Sequence, residues 1–155
     1  MVRLEIVKNK ERKLLYNINQ KYLYEMTLYY DDKMDEEGNY NYGYFDLYFK
    51  EKERIPYFIY NDNTIIGFIF INNISYFGDK IDYSIAEFTI FPHYRNKGYA
   101  KEAVNIVFNL YKGVWEIKYN EKNIKAKNFW NSVTKSYNPK KIKYSKVETV
   151  LKFIN

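Results

Sequence analysis

Residues 87–100 read Glu-Phe-Thr-Ile-Phe-Pro-His-Tyr-Arg-Asn-Lys-Gly-Tyr-Ala, and they restrict the fold more than any other stretch of the chain. The apolar, β-prone start is broken at Pro92, and a basic turn containing Gly98 opens into Lys101–Tyr111. There Ala103, Val104, Val107, Phe108 and Tyr111 share one helical face, and Val114–Tyr119 follows as a strand. A strand, a crossover helix and a second strand make a parallel unit of right-handed sense. The turn also has chemical meaning. The first N–H groups of a helix lack internal partners, and the helix dipole adds partial positive charge there. Arg95 and Lys97 add full charges, and Gly98 lets an anion approach the backbone.

The rest of the chain supplies what this unit packs against. Val2–Val7 alternates as a half-buried strand, and Lys10–Met26 carries Leu14, Leu15, Ile18, Tyr22 and Met26 at helical spacing. Tyr29–Tyr44 reads as a loop in which Asp31, Asp32, Asp35, Glu36 and Glu37 are set among tyrosines, and Phe45–Lys50 as a short helix. Ile55–Tyr60 and Thr64–Asn72 form a hairpin around Asn61-Asp62-Asn63. Ile81–Phe91 is the third strand of that meander. Asn123–Ser136 is a second amphipathic helix, and Lys141–Tyr144 with Val147–Ile154 a closing strand pair. The expectation is one α+β domain over residues 1–155. Its central sheet is mixed and mostly antiparallel, with six to seven strands and helices on both faces.

Composition narrows the function classes. With no cysteine, disulfides and thiolate metal sites or nucleophiles are excluded. No segment stays apolar for the ~18 residues of a membrane span, and Met1–Lys10 lacks a signal-peptide apolar core. The expectation is a soluble cytoplasmic protein without membrane association. His93 is the only histidine, which argues against a histidine-built metal site. The net charge of +6 points to an anionic partner, either nucleic acid or a small phosphate.

The strand–turn–helix, the strand after it, and Asn123-x-x-Ala126-x-x-Phe129-Trp130 on the next helix resemble, in order and spacing, the GCN5-related N-acetyltransferases (GNAT). The pyrophosphate loop of that family reads Arg/Gln-x-x-Gly-x-Gly/Ala and stands here as Arg95-Asn96-Lys97-Gly98-Tyr99-Ala100. The resemblance covers most of the chain, with the specific motifs in its second half. It implies the acyl-CoA N-acyltransferase fold and an acetyl-CoA-dependent N-acetyltransferase acting on a primary amine of a small molecule or peptide. It further implies that Phe88, Thr89 and Ile90 pair with the pantetheine arm, and that the pyrophosphate meets the backbone from Arg95 through Asn96, Lys97, Gly98, Tyr99 and Ala100 to Lys101. Asn123 then approaches the thioester end, and Phe129 and Trp130 wall the groove. Relatives are often dimers, so a homodimer is a further expectation; no metal is implied.

Acetyl transfer requires a neutral amine, and a lysine-like amine of pKa about 10.4 is neutral in roughly one molecule per few thousand at pH 7. A base is therefore useful. Glu87 matches the position of a base in several family members, and Glu116 on the neighbouring strand is the second candidate. Each has an alternative role as a strand-face carboxylate paired with Lys or Arg. The family's usual tyrosine, a proton donor to the departing thiolate, is replaced by Trp130, whose N–H is not a practical acid. Tyr137 substitutes only if the chain folds it back; otherwise a thiolate of pKa about 8.5 leaves unaided. The acceptor is expected near Tyr29, Tyr30 and Asp31, where carboxylates and tyrosine faces suit a cationic amine. Two other readings stay open: a catalytically silent CoA-binding domain, and a basic nucleic-acid-binding module. Aromatics that follow core periodicity, and positive charge that gathers on no single helix, argue against the second.

Overall fold

The computed structural model describes residues 1–155. The chain runs β1 (Val2–Ile6), α1 (Arg12–Met26), β2 (Ile55–Asn61), β3 (Thr64–Ile74), β4 (Lys80–Ile90), α2 (Tyr99–Leu110), β5 (Val114–Asn120), α3 (Ile124–Thr134), β6 (Lys140–Lys143) and β7 (Glu148–Ile154). These strands form one sheet of seven in the order β1-β2-β3-β4-β5-β7-β6. Among neighbouring strands only β4 and β5 pair in parallel, with α2 as the crossover between them. The mixed, mostly antiparallel α+β architecture is the one anticipated. No helix is long and apolar enough to cross a membrane.

Each face of the sheet has its own core. Ala103, Val104, Val107 and Phe108 of α2 and Trp130 of α3 pack on one face against Ile69, Ile71, Trp115 and Ile117. On the other face, Leu15 of α1 and Phe45 and Tyr48 of a short 3₁₀ segment cover Phe58, Phe68 and Phe70. α1 contributes only two buried residues, Leu15 and Asn19, so it is held more lightly than α2.

Two irregularities in β4 shape the middle of the sheet. Phe70 pairs with Glu87 while Ile71 pairs with Ile85, which leaves Ala86 as an extra residue. This β-bulge reverses the phase of the strand: Tyr83 and Ile85 face the α2 side, then Phe88 and Ile90 do, so Ala86 and Glu87 both face α1. The second irregularity lies between β4 and β5, which pair only from Tyr83/Trp115 to Ile85/Ile117. Beyond that point β4 continues to Ile90 and β5 to Asn120 without pairing, and the two strands splay. On the other side, β3 approaches β4 so closely that a Cβ on Gly67 would lie 2.1 Å from the Thr89 carbonyl oxygen.

Some boundaries differ from the sequence expectation for local reasons. Asn123 is the N-cap of α3, its Oδ1 accepting from Ala126 N at 3.1 Å, and helical winding changes to a 3₁₀ turn at Lys135–Tyr137. Residues before Arg12 likewise form a 3₁₀ turn instead of the first turn of α1.

Candidate active site

The splay leaves backbone groups of β4 available, and the turn after it leaves more. Gly98 is the N-cap of α2 at φ +85°, a conformation that disfavours residues with a Cβ, and Asn96 is also left-handed at φ +61°. The N–H groups of Gly98, Tyr99, Ala100 and Lys101 donate to no acceptor in the protein; the next, from Glu102, closes on Gly98 O at 3.1 Å. Four open donors at the positive end of a twelve-residue helix form an anion cradle. Lys97 and Lys101 are exposed beside it, with no carboxylate within ion-pair distance.

Arg95 behaves differently from the expectation that its charge serves the anion. Its Nη1 and Nη2 bond both carboxylate oxygens of Glu25 on α1, each at 2.7 Å. Its Nε donates to Ile90 O at 2.7 Å, and Nη2 also reaches Thr89 Oγ1 at 3.3 Å. Of the other anticipated cofactor residues, Phe88 stacks on Phe129 with ring centroids 5.6 Å apart and meets Trp130 edge-on at 5.4 Å. Phe129 keeps partial exposure, whereas Trp130 is buried beneath it. Trp130 is thus packed in the core against Phe88 and Phe129, with little surface left to wall a groove. The Asn123 side-chain oxygen is occupied by its capping role.

On the opposite face of the sheet, Glu87 is half-buried among tyrosines. Its Oε2 accepts from Tyr22 OH at 2.6 Å. Burial raises the carboxyl pKa to about 7, against the downward pull of the Tyr22 hydrogen bond, the Lys118 charge and the Tyr42 hydroxyl. Burial, followed by the Glu87 charge, pushes the Tyr22 and Tyr42 phenols upward in turn. Lys118 Nζ lies 2.9 Å from Glu148 Oε2 and 5.0 Å from the ring centres of Tyr76 and Tyr144. Tyr30 OH donates to the same Glu148 oxygen at 3.0 Å. Burial alone would raise the Glu148 pKa, but Lys118, Tyr30 and Ser145 hold it below the usual range. The arrangement combines a half-protonated carboxylate, a neutralised cation and a ring of phenols, a setting that can accept a proton from an amine near neutral pH.

The other candidates sit elsewhere. Glu116 is completely buried; it accepts from Ser75 Oγ at 2.8 Å and Tyr76 N at 2.9 Å, with Lys152 Nζ at 3.5 Å. It anchors the β3–β4 turn, which is the paired, structural alternative. Tyr137 stacks on Phe153 at 5.4 Å and meets Phe108 edge-on at 5.8 Å. Phe153 pairs with Trp115 at the closed end of the β4–β5 junction, so Tyr137 is not folded back to the splay. Tyr30 joins the site through Glu148, while Asp31 is exposed without a hydrogen-bond partner. Tyr22, Tyr42, Lys118 and Glu148 were missed because each reads as ordinary helix, loop or strand residue. Lys118 had one available signal: on β5 it alternates with Trp115 and Ile117 and so must face α1.

A model of the acetyltransferase (GNAT) family matches residues 15–133. No curated protein is similar in sequence to this chain. Among solved structures, an acetyltransferase from Thermus thermophilus superposes with a TM-score of 0.70 at 12% identity, covering 100% of this chain and 96% of that one. Arabidopsis thaliana NAA60 in complex with acetyl-CoA gives 0.65 at 10% identity, with 99% and 98% covered. Spermidine N-acetyltransferase from Vibrio cholerae in complex with CoA and spermine gives 0.63 at 13% identity, with 97% and 92% covered. At these identities the likeness speaks to the fold.

Proposed function

The chain belongs to the acetyltransferase (GNAT) family, and on that premise we propose that it transfers an acetyl group from acetyl-CoA to a primary amine, with Glu87 as the base. The observation that carries this reading is the placement of Glu87 on the α1 face of β4, next to the point where β4 and β5 part. The open N–H groups of Gly98–Lys101 suit the CoA pyrophosphate, and the Phe88–Ile90 edge that β5 leaves unpaired, with Ile90 O already accepting from Arg95 Nε, suits the pantetheine amides. Bound acetyl-CoA supplies an activated acyl carbon. The protein's own part is to hold the amine beside Glu87 and take its proton as the N–C bond forms and the C–S bond breaks. A base whose pKa lies near 7 is matched to that task at neutral pH. Tyr22 and Tyr42 keep the carboxylate oriented, and Tyr30 closes the acceptor side through Glu148. With Trp130 and Tyr137 committed to packing, the thiolate departs without a protein acid; a leaving-group pKa of about 8.5 permits this.

Acetyl-CoA should raise the melting temperature, and thiol release with an amine panel should identify an acceptor. Glu87→Gln should then lower kcat/KM by about 10²-fold or more and abolish its rise through neutral pH. A protein that acetyl-CoA stabilises but that releases no thiol with any amine would be a silent binder; one that acetyl-CoA does not stabilise would refute the cofactor assignment.

A further inference from the structure

The bonding of Arg95 is inconsistent with its place in the loop motif. A guanidinium has five N–H donors. Four of those on Arg95 are used, by the two Glu25 oxygens, Ile90 O and Thr89 Oγ1, so one Nη1 hydrogen remains for any ligand. The planar fork that makes arginine a good phosphate ligand is turned toward α1. What it grips there is the last turn of that helix. Tyr22, three residues before Glu25 and therefore its neighbour on the helix surface, donates to Glu87. Tyr30, a few residues beyond the helix end, donates to Glu148 beside Lys118. The stretch from Tyr22 to Tyr30 thus crosses from β4 to β7 over the splayed strands and is pinned between those two contacts by Arg95.

We propose that Arg95 and Glu25 are a positioning pair for the transfer reaction: they tie the last turn of α1 to the cofactor loop and so hold the Tyr22 hydroxyl on Glu87. Anion binding is left to the helix N–H groups with Lys97 and Lys101. The pair is the direct bonded link between the loop that receives the cofactor and the helix that lines the acceptor side. A shift of the loop when the pyrophosphate is gripped moves Glu25, and with it Tyr22. The two substrates therefore bind with mutual dependence, and the state of Glu87 reports on the loop. The groups facing Glu87 are Tyr22 of α1, Tyr30 and Tyr42 of the segment after it, Tyr48 of the 3₁₀ turn, Tyr76 of the β3–β4 turn and Lys118 of β5. Of these, the pair acts on Tyr22 most directly. The Tyr22 bond favours the charged carboxylate, so loosening it while Glu87 stays covered raises the Glu87 pKa.

The proposal rests on the acetyl-transfer reading, and its test separates the two. Glu25→Gln removes the charge, and Arg95→Lys keeps the charge but removes the fork. Each variant is compared with wild type in acetyl-CoA affinity by calorimetry, in kcat with the accepting amine, and in the titration of the Glu87 carboxyl carbon by NMR without cofactor. The expected result is an affinity within about threefold of wild type, as for loss of a partly exposed ion pair, a kcat lower by about tenfold or more, and a Glu87 midpoint moved upward in both variants. An affinity that weakens as much as kcat falls would make Arg95 a phosphate ligand and overturn the proposal, as would a Glu87 midpoint that stays in place. A wild-type protein that neither binds acetyl-CoA nor releases thiol would refute the reaction instead, and the cofactor-free titration would still decide the role of the pair.

Discussion

At the scale of single residues, Glu87 carries opposing demands of folding and chemistry. Its pKa is raised from the ordinary 4.5 to about 7, first by burial. The fold therefore prefers the protonated form. That contribution to stability is fully present below about pH 4.5 and is lost as the pH rises through about 7. Glu87→Gln keeps an acceptor for Tyr22 without a charge to bury. At pH 8 the variant should melt at a higher temperature than wild type, and at pH 4 the difference should vanish; equal melting shifts at both values would mean that Glu87 is not buried at a cost. Glu87 was visible in the sequence through the resemblance to the family, because it matches the position of a base in several members. The sequence did not reveal Tyr22, whose hydroxyl comes from 65 residues away, or Glu25, 70 residues from Arg95. Helical periodicity assigns Tyr22 to the buried face of α1 and is silent on what its hydroxyl meets there.

At the scale of elements, the site depends on a strand that changes phase. In the stretch Ile81-Asp82-Tyr83-Ser84-Ile85-Ala86-Glu87-Phe88-Thr89-Ile90, the large apolar residues alternate twice with a slip between Ile85 and Phe88. That slip is the bulge, legible in retrospect, and it directs Glu87 toward α1 while Phe88 stays stacked on Phe129. The splay between β4 and β5 is less legible, because nothing in local composition says where a parallel pair stops bonding. The tight approach of β3 to β4 is a third feature of this kind. Gly67 looks like an ordinary weak point in an apolar strand, yet a Cβ there would meet the backbone oxygen of Thr89. Since backbone has to move to relieve that contact, Gly67→Ala should lower stability by about 1–3 kcal/mol in urea denaturation. It should also weaken acetyl-CoA binding, because Thr89 lies on the edge assigned to the pantetheine arm. A loss of stability with unchanged affinity would show that the β4 edge tolerates the shift.

At the scale of the whole molecule, the two faces of the sheet are built to different strengths. The α2 and α3 face encloses eighteen buried apolar residues, whereas the α1 face encloses seven. The face with the larger core carries the loop with four open N–H groups at the N-terminus of α2, proposed above to take the cofactor. The face with the smaller core carries Glu87 and the tyrosines around it. α1 has a single fully buried apolar side chain, Leu15, and its other buried residue, Asn19, has an Oδ1 with no hydrogen-bond partner. A helix anchored this sparsely can open at lower free energy than the rest of the domain, which suits the side proposed to admit the acceptor. The amphipathic pattern located α1 and α2, but their relative anchoring follows from how many of their residues tertiary packing buries, two on α1 and four on α2. Leu15→Ala should cost about 2–5 kcal/mol if α1 unfolds with the domain, as cavity-forming changes do in cooperative cores. If α1 opens on its own, the global cost is smaller, and hydrogen exchange quickens through Arg12–Met26 while α2 and β5 stay protected. The unequal cores favour the second outcome, together with a Glu87 titration midpoint that falls toward the ordinary carboxylate value, because opening α1 removes the burial that raises it. Uniformly faster exchange in α1 and α2 would instead mean that the two faces unfold as one unit and that the acceptor side has no freedom of its own.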